Sequence, residues 1–262
     1  MSDADVSSSI ISARRTSNGT KAKIVSFKDF KNLFIYSYQS EIFFADKVII
    51  CEGYDAFLIR AVSELYYPSK IDTSNISIVS VQGKDQISEF AKLLLSLDIP
   101  CFILADFDYL LRGASEDRLV YGAKAHRSAE SVPSGFFKQR LEKPIGDKIF
   151  SRIQKFRAHV KRSNAEQFYK AKGIQSLIDS NTTNRDHFEH FRSALESAGM
   201  FVLDSEVESL FQDNSIINID NGKKFDSNAV FELHSLLSSG RQISEYLHCE
   251  PLRRMIQQVI LA

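Results

Sequence analysis

Three short apolar runs in this chain end in acid. KVIIC (Lys47–Cys51) runs into Glu52, with Gly53 next and Asp55 three residues beyond the glutamate; CFILA (Cys101–Ala105) runs into Asp106 and Asp108; MFVL (Met200–Leu203) runs into Asp204, with Glu206 and Glu208 behind it. As parallel strands of one sheet, these runs would deliver their acids to the rim at the carboxyl ends, where open α/β sheets bind ligands. Carboxylates gathered there repel one another and are costly to keep ionised. A divalent cation removes that cost, and an oxygen set without His or Cys suits Mg2+ or Mn2+ rather than zinc. Two such ions about 4 Å apart can activate water and stabilise the leaving oxygen in phosphodiester cleavage.

Each residue also has a plainer reading. Asp55 opens a predicted helix, where an acid serves equally to satisfy free N–H groups. Asp204, followed by Ser205-Glu206, reads as a helix cap, and Glu208 as a solvated side chain. Gly53 and Gly83 suit tight turns. His187 and His190 are three apart on a predicted helix with no second pair beside them, which favours surface positions over a metal site.

The elements that must position these acids follow from periodicity. AFLIRAVSELYY after Gly53 is helical, ISIVSV (Ile76–Val81) is a second strand, about Lys84–Leu97 a second helix, and CFILA a third strand. Strands alternating with helices predict parallel pairing through right-handed crossovers. Pro100 stands at the mouth of the third strand, where its missing N–H costs least. The strand signal then disappears for about ninety residues, and helices are expected near Phe136–Leu141, Asp147–Lys172 and Arg185–Ala198, with Gly173 and Gly199 as stops. A strand at Met200–Asp204, a helix from SEVESLF, an edge strand at Ser215–Ile219 and helices over Ser227–Ser238 and Ile243–Leu261 complete the pattern. The first 20 residues, rich in Ser, Asp, Asn and Gly, read as an unfolded tail, followed by a strand at Ala22–Phe27 and a lead-in helix with Phe30, Leu33, Phe34 and Ser37 on one face. The resulting division is 1–40 tail and lead-in, 41–112 first part of the α/β domain, 113–199 helical insertion, and 200–262 second part with C-terminal helices.

The chain has 262 residues, 44% hydrophobic, enough for a substantial core. Its 33 Lys and Arg cancel 33 Asp and Glu, so a nucleic-acid surface must come from local segregation. One segment supplies it: Lys138–Lys172 holds eleven basic residues against three acids. Lys148, Arg152, Lys155, Lys161 and Arg162 follow one side of the predicted long helix, suited to a phosphate backbone, or simply solvated while Phe150, Ile153, Phe156 and Val160 face the core. Cys51, Cys101 and Cys249 form no CxxC pair and are odd in number, which fits a reducing cytoplasm. No run approaches the roughly 20 apolar residues of a membrane helix.

VIICEG with Asp55, and FILADFD one strand-helix unit later, resemble the TOPRIM metal-binding domain of topoisomerases, primases and OLD-family (overcoming lysogenisation defect) nucleases. The OLD branch fits best. SEIFFADKVIICEG looks like the segment leading into the OLD nuclease domain, VSVQGKDQISEFAKLLLSLDIPCFILADFD resembles its second and third strand units, and FVLDSEVESLF and NGKKFDSNAVFELHSLL are similar to its later stretches. The resemblance covers roughly Ser40–Leu237. It implies a TOPRIM-type α/β fold, a mostly parallel sheet flanked by helices with a helical insertion, and a metal-dependent DNA endonuclease in anti-phage defence. By the same resemblance Glu52 would be a metal ligand or general base, Asp106 and Asp108 the DxD ligands, Glu208 the acid completing a second metal site, and Lys224, or Lys223, the lysine that stabilises charge on the phosphate. One departure stands out: the second acid of the first motif usually follows the glutamate by four residues, whereas Asp55 follows Glu52 by three.

OLD proteins usually carry an ABC-type ATPase ahead of this domain, but GxxxxGK[ST] is absent here. The resemblance therefore implies an ATPase as a preceding domain or a partner subunit, with RRTSNGTKAKIVSF looking like the end of such a domain. It leaves a homodimer open. An RNA- or tRNA-cleaving TOPRIM effector and a non-catalytic interaction module remain as alternatives.

Overall fold

The computed structural model describes residues 9–16, 19–26, 40–109, 173–175, 189, 192–193, 195–197, 199–212, 216–217 and 224–262. Strands β1 (Ser9–Thr16) and β2 (Gly19–Ser26) form an antiparallel hairpin. A second sheet contains β3 (Lys47–Glu52), β4 (Ile76–Val81), β5 (Cys101–Ala105) and β6 (Met200–Val202), all parallel, in the order β4-β3-β5-β6. The described helices of this unit are α1 (Asp55–Tyr66), α2 (Lys70–Thr73), α3 (Lys84–Ser96), α4 (Ser227–Ser238) and α5 (Glu250–Leu261). A parallel sheet flanked by helices is the TOPRIM-type α/β fold expected from the sequence.

Central β3 and β5 are wholly apolar inside because both their faces are covered. The chain steps from β3 through α1 to β4 on one side, then back through α3 to β5 beyond β3. With right-handed crossovers, this reversal puts α1 and α3 on opposite faces. On the α1 face, Ile49 and Cys51 pack with Leu58, Ile59 and Val62 of α1, Leu233 of α4, and Leu252, Met255, Ile256 and Val259 of α5. Caps hold the C-terminal helices in place. Asp226 Oδ1 accepts from the N–H groups of Asn228 (3.0 Å) and Ala229 (3.1 Å) at the start of α4. Lys47 Nζ donates to the carbonyls of Val259 (2.9 Å) and Ile260 (3.2 Å), putting a cation on the carbonyl end of α5. Pro100 has the predicted place, its carbonyl accepting from Val48 N (2.9 Å).

Several expectations need correction. Residues 9–16 and 19–26 form a hairpin, not a tail, and its second strand begins at Gly19 rather than Ala22. Thr16 pairs with Gly19, so only the two turn-forming residues Ser17-Asn18 separate the strands, a short connection that outweighs the polar composition. SEVESLF yields only the 3-10 turn Val207–Leu210. Ile216 and Ile217, the described residues of the expected edge strand, are buried outside any strand. The predicted helix Ile243–Leu261 is split into a 3-10 turn at Ile243–Glu245 and α5, with Pro251 at the start of the latter. The lead-in helix and most of the helical insertion lie outside the described residues; the described residues 189, 192–193 and 195–197 are helical, as expected.

Candidate metal centre

The site grows from the topology. The connection leaving β3 runs to β4 on one side, while the connection leaving β5 runs to β6 on the other. The gap between the carboxyl ends of β3 and β5 is therefore the switch point at which such sheets bind ligands. Glu52 is the last residue of β3, and Asp106 the first after β5. β6, next to β5, leads through Leu203 into the turn that carries Glu208.

Asp55 is where the plainer and sharper readings separate. It is the first residue of α1, yet only 6% exposed, and the residue at the cap position, Tyr54, makes no side-chain capping bond. Burial, then the charges of Asp106, Glu52 and Glu208, push the Asp55 carboxyl well above the usual carboxylate range. Acids from three strand ends thus converge on one buried carboxylate despite the shortened Glu52–Asp55 spacing. Beneath them the thiol of Cys51 is pushed up by burial and by Asp55, which makes it an inert core residue.

Backbone groups fix two of these acids. Val207 N donates to Asp106 Oδ1 (2.9 Å), and Phe225 N donates to Glu208 Oε1 (3.2 Å). The turns after β5 and β6 are also laced together, Leu203 N to Ala105 O (2.9 Å) and Phe107 N to Ser205 O (3.1 Å). Gly173 closes on the same turn. At φ +53° its position would put a Cβ 2.0 Å from the Asp204 carbonyl oxygen, and the next residue, Ile174, donates its N–H to that oxygen (2.7 Å). Gly173 was read as a helix stop; its close backbone approach is the stronger requirement.

The other predicted residues distribute as follows. Asp108, in the turn with Asp106, is buried at 1% exposure, and Asp106, Glu52 and Glu208 are the three carboxylates that act on Asp55. Lys224 is exposed, one residue from the Phe225 N–H that holds Glu208. Asp204 turns outward to Arg192 Nη1 (2.5 Å) and stands apart from the cluster. Lys223 and the basic series Lys148, Arg152, Lys155, Lys161 and Arg162 lie outside the described residues. The N–H donors of Val207 and Phe225 were missed by the sequence reading, since a backbone donor leaves no residue-type signal.

The donor chemistry fits a hard divalent cation: four carboxylates, one of them buried against the charge of the others. Among the described residues, no three acid, His or Cys side chains already close around a common point as an assembled coordination shell. None of the described helices is long and apolar enough to cross a membrane.

A parallel sheet with acids converging at its switch point defines a TOPRIM-type α/β domain. Residues 43–108 match the family model described as overcoming lysogenization defect protein-like, TOPRIM domain, which supports an OLD-family TOPRIM region here. Among solved structures, the C-terminal region of the Xanthomonas campestris pv. campestris OLD protein is similar at 20% identity, covering 84% of this chain and 80% of that one, with a TM-score of 0.36. The C-terminal region of the Burkholderia pseudomallei OLD protein is similar at 21% identity, covering 82% of each chain, with a TM-score of 0.32. No curated protein matches the chain.

Proposed function

We propose that this chain is a divalent-metal-dependent endonuclease that hydrolyses DNA phosphodiesters, working in the cytoplasm with an ABC-type ATPase, as a preceding domain or a partner subunit, in anti-phage defence. The observation that carries this reading is the buried Asp55 carboxylate facing Asp106, Glu52 and Glu208 at the sheet's switch point. A cluster of like charges around a buried carboxylate is costly, and its position is that of a binding site rather than of a structural core.

Glu52, Asp55, Asp106, Asp108 and Glu208 would hold Mg2+ or Mn2+, one ion or two, closing on it by side-chain rotation. When bound, such ions supply an activated water and neutralise charge on the phosphate and the leaving oxygen. The chain's own groups prepare the rest. The Val207 N–H holds Asp106 Oδ1 and the Phe225 N–H holds Glu208 Oε1, which would orient both carboxylates toward the ion. Glu52 would take a proton from the attacking water. Lys224, exposed beside the Glu208 anchor, would meet the phosphate as its negative charge builds. The basic series from Lys148 to Arg162 would bind the DNA backbone, making affinity fall steeply with salt.

The test is cleavage of supercoiled plasmid and of total RNA in Mg2+ or Mn2+, with EDTA as control, for wild type, Glu52→Ala and Asp108→Ala. Metal-dependent plasmid cleavage lost in both variants supports the reading. Equal cleavage in all three removes these residues from the mechanism, and cleavage of RNA alone reassigns the substrate.

A further inference from the structure

The shortened first motif raises a question of geometry. Only Gly53 and Tyr54 separate Glu52, the last residue of a strand, from Asp55, the first residue of a helix. So short a link leaves little freedom to aim Asp55, yet Asp55 faces the other acids. Something must fix the link.

Two bonds from the neighbouring strand do so. Gly53 N donates to Val81 O (3.1 Å), extending the β3–β4 ladder by one residue. The hydroxyl of Ser80 then donates to the carbonyl of Gly53. Since peptide units are planar, fixing the N–H and the C=O of one residue orients the peptide planes on both sides of it. Gly53 adopts φ +55°, and a Cβ there would meet nothing within 4 Å, so the turn needs glycine for the sign of its backbone angle rather than for space. The plane between Gly53 and Tyr54, held by Ser80, sets the direction in which α1 starts.

We propose that Ser80 is a positioning residue for the Glu52–Asp55 pair, its hydroxyl locking the short link so that both carboxylates serve one cation; this rests on the metal site proposed above. Ser80 does not touch the ion. Without its hydroxyl the Gly53 carbonyl turns to solvent, the peptide plane gains freedom, and the ion must pay to order it on binding.

The experiment compares the full chain as wild type, Ser80→Ala and Ser80→Thr. Mn2+ affinity is read by the paramagnetic signal of free Mn2+, plasmid cleavage at limiting and saturating Mn2+, and metal-free stability by thermal melting. Loss of one such hydrogen bond should weaken Mn2+ binding by roughly five- to tenfold in Ser80→Ala. The cleavage defect should largely vanish at saturating Mn2+, the metal-free melting temperature should stay near wild type, and Ser80→Thr, which keeps the hydroxyl, should restore affinity. Gly53→Ala, which strains the same link without touching Ser80, should show the same weakened binding. Wild-type affinity in Ser80→Ala, or a loss that tracks a lowered melting temperature and is not restored by Thr, overturns the positioning role while leaving the metal site intact. A wild type that binds no Mn2+ overturns the metal-site reading itself, and the role of Ser80 with it.

Discussion

Replacing Asp55 by Asn should make the metal-free protein more stable and, at the same time, blunt its response to metal. Asp55 is buried, and its carboxyl is held above the ordinary range first by that burial and then by Asp106, Glu52 and Glu208. For an acid with a raised folded-state pKa, the stability attached to the protonated form is fully present below the unfolded value of about 4 and is lost as pH rises through the folded value. Across an assay range from about pH 4 to about pH 8, metal-free wild type should therefore weaken as pH rises, and Asp55→Asn should weaken less. Two like charges about 5 Å apart at an effective dielectric near 20 repel by about 3 kcal/mol, which water at the rim reduces. A net gain of about 1–3 kcal/mol at about pH 8 is expected, or roughly 2–12 °C at about 2–4 °C per kcal/mol for a chain of this size. Metal reverses the order. At about 100 times its dissociation constant an ion adds about 2.7 kcal/mol to wild type, and the Asn variant should gain much less. Thermal melts over this pH range, with EDTA or Mn2+, read both effects. An Asn variant that melts below metal-free wild type at about pH 8, or gains as much from Mn2+, refutes the reasoning.

Three further outcomes follow from the packing. Gly173→Ala should destabilise by about 2 kcal/mol or more in chemical denaturation, because the new Cβ would lie 2.0 Å from the Asp204 carbonyl oxygen, on backbone that cannot swing aside, at a φ of +53°. Met255→Ala removes a fully buried side chain from the core joining α5 to the sheet and should cost about 2–5 kcal/mol in the same assay. Lys47→Met keeps the aliphatic stem but removes both bonds to the last carbonyls of α5; a loss of about 1 kcal/mol and faster hydrogen exchange in the last turn of α5 should result.

The sheet was legible because its strands are short apolar runs punctuated by Glu52-Gly53, Gln82-Gly83 and Asp106, and helices with clear periodicity lie between them. α4 was readable to the residue, and the structure adds Asp226 as its cap. The hairpin was hidden by a polar composition that masked the short Ser17-Asn18 connection, and the helix expected over Ile243–Leu261 hid a break at which Gln212 N donates to Tyr246 O and His248 N to Leu210 O, tying the loop before α5 to the end of the Val207–Leu210 turn. Neither of those tertiary bonds has a local signature.

At the site, residue type revealed the acids, but not which would meet. Spacing alone left Asp55 balanced between cap and ligand; its burial and its three charged neighbours became visible only in the fold. Asp204, read in sequence as a helix cap, pairs with Arg192 instead and is not among the charges that act on Asp55. The donors at Val207 and Phe225, and the hydroxyl of Ser80 on the Gly53 carbonyl, depend on residues brought together from far along the chain.

The most direct test of the carboxylate cluster as a cation site is calorimetric titration of Mn2+ into the metal-stripped full chain and into Asp106→Ala. Saturable binding to the wild type that disappears in the variant is the predicted result. A wild type that takes up no ion, or a variant that binds as tightly as wild type, would contradict it.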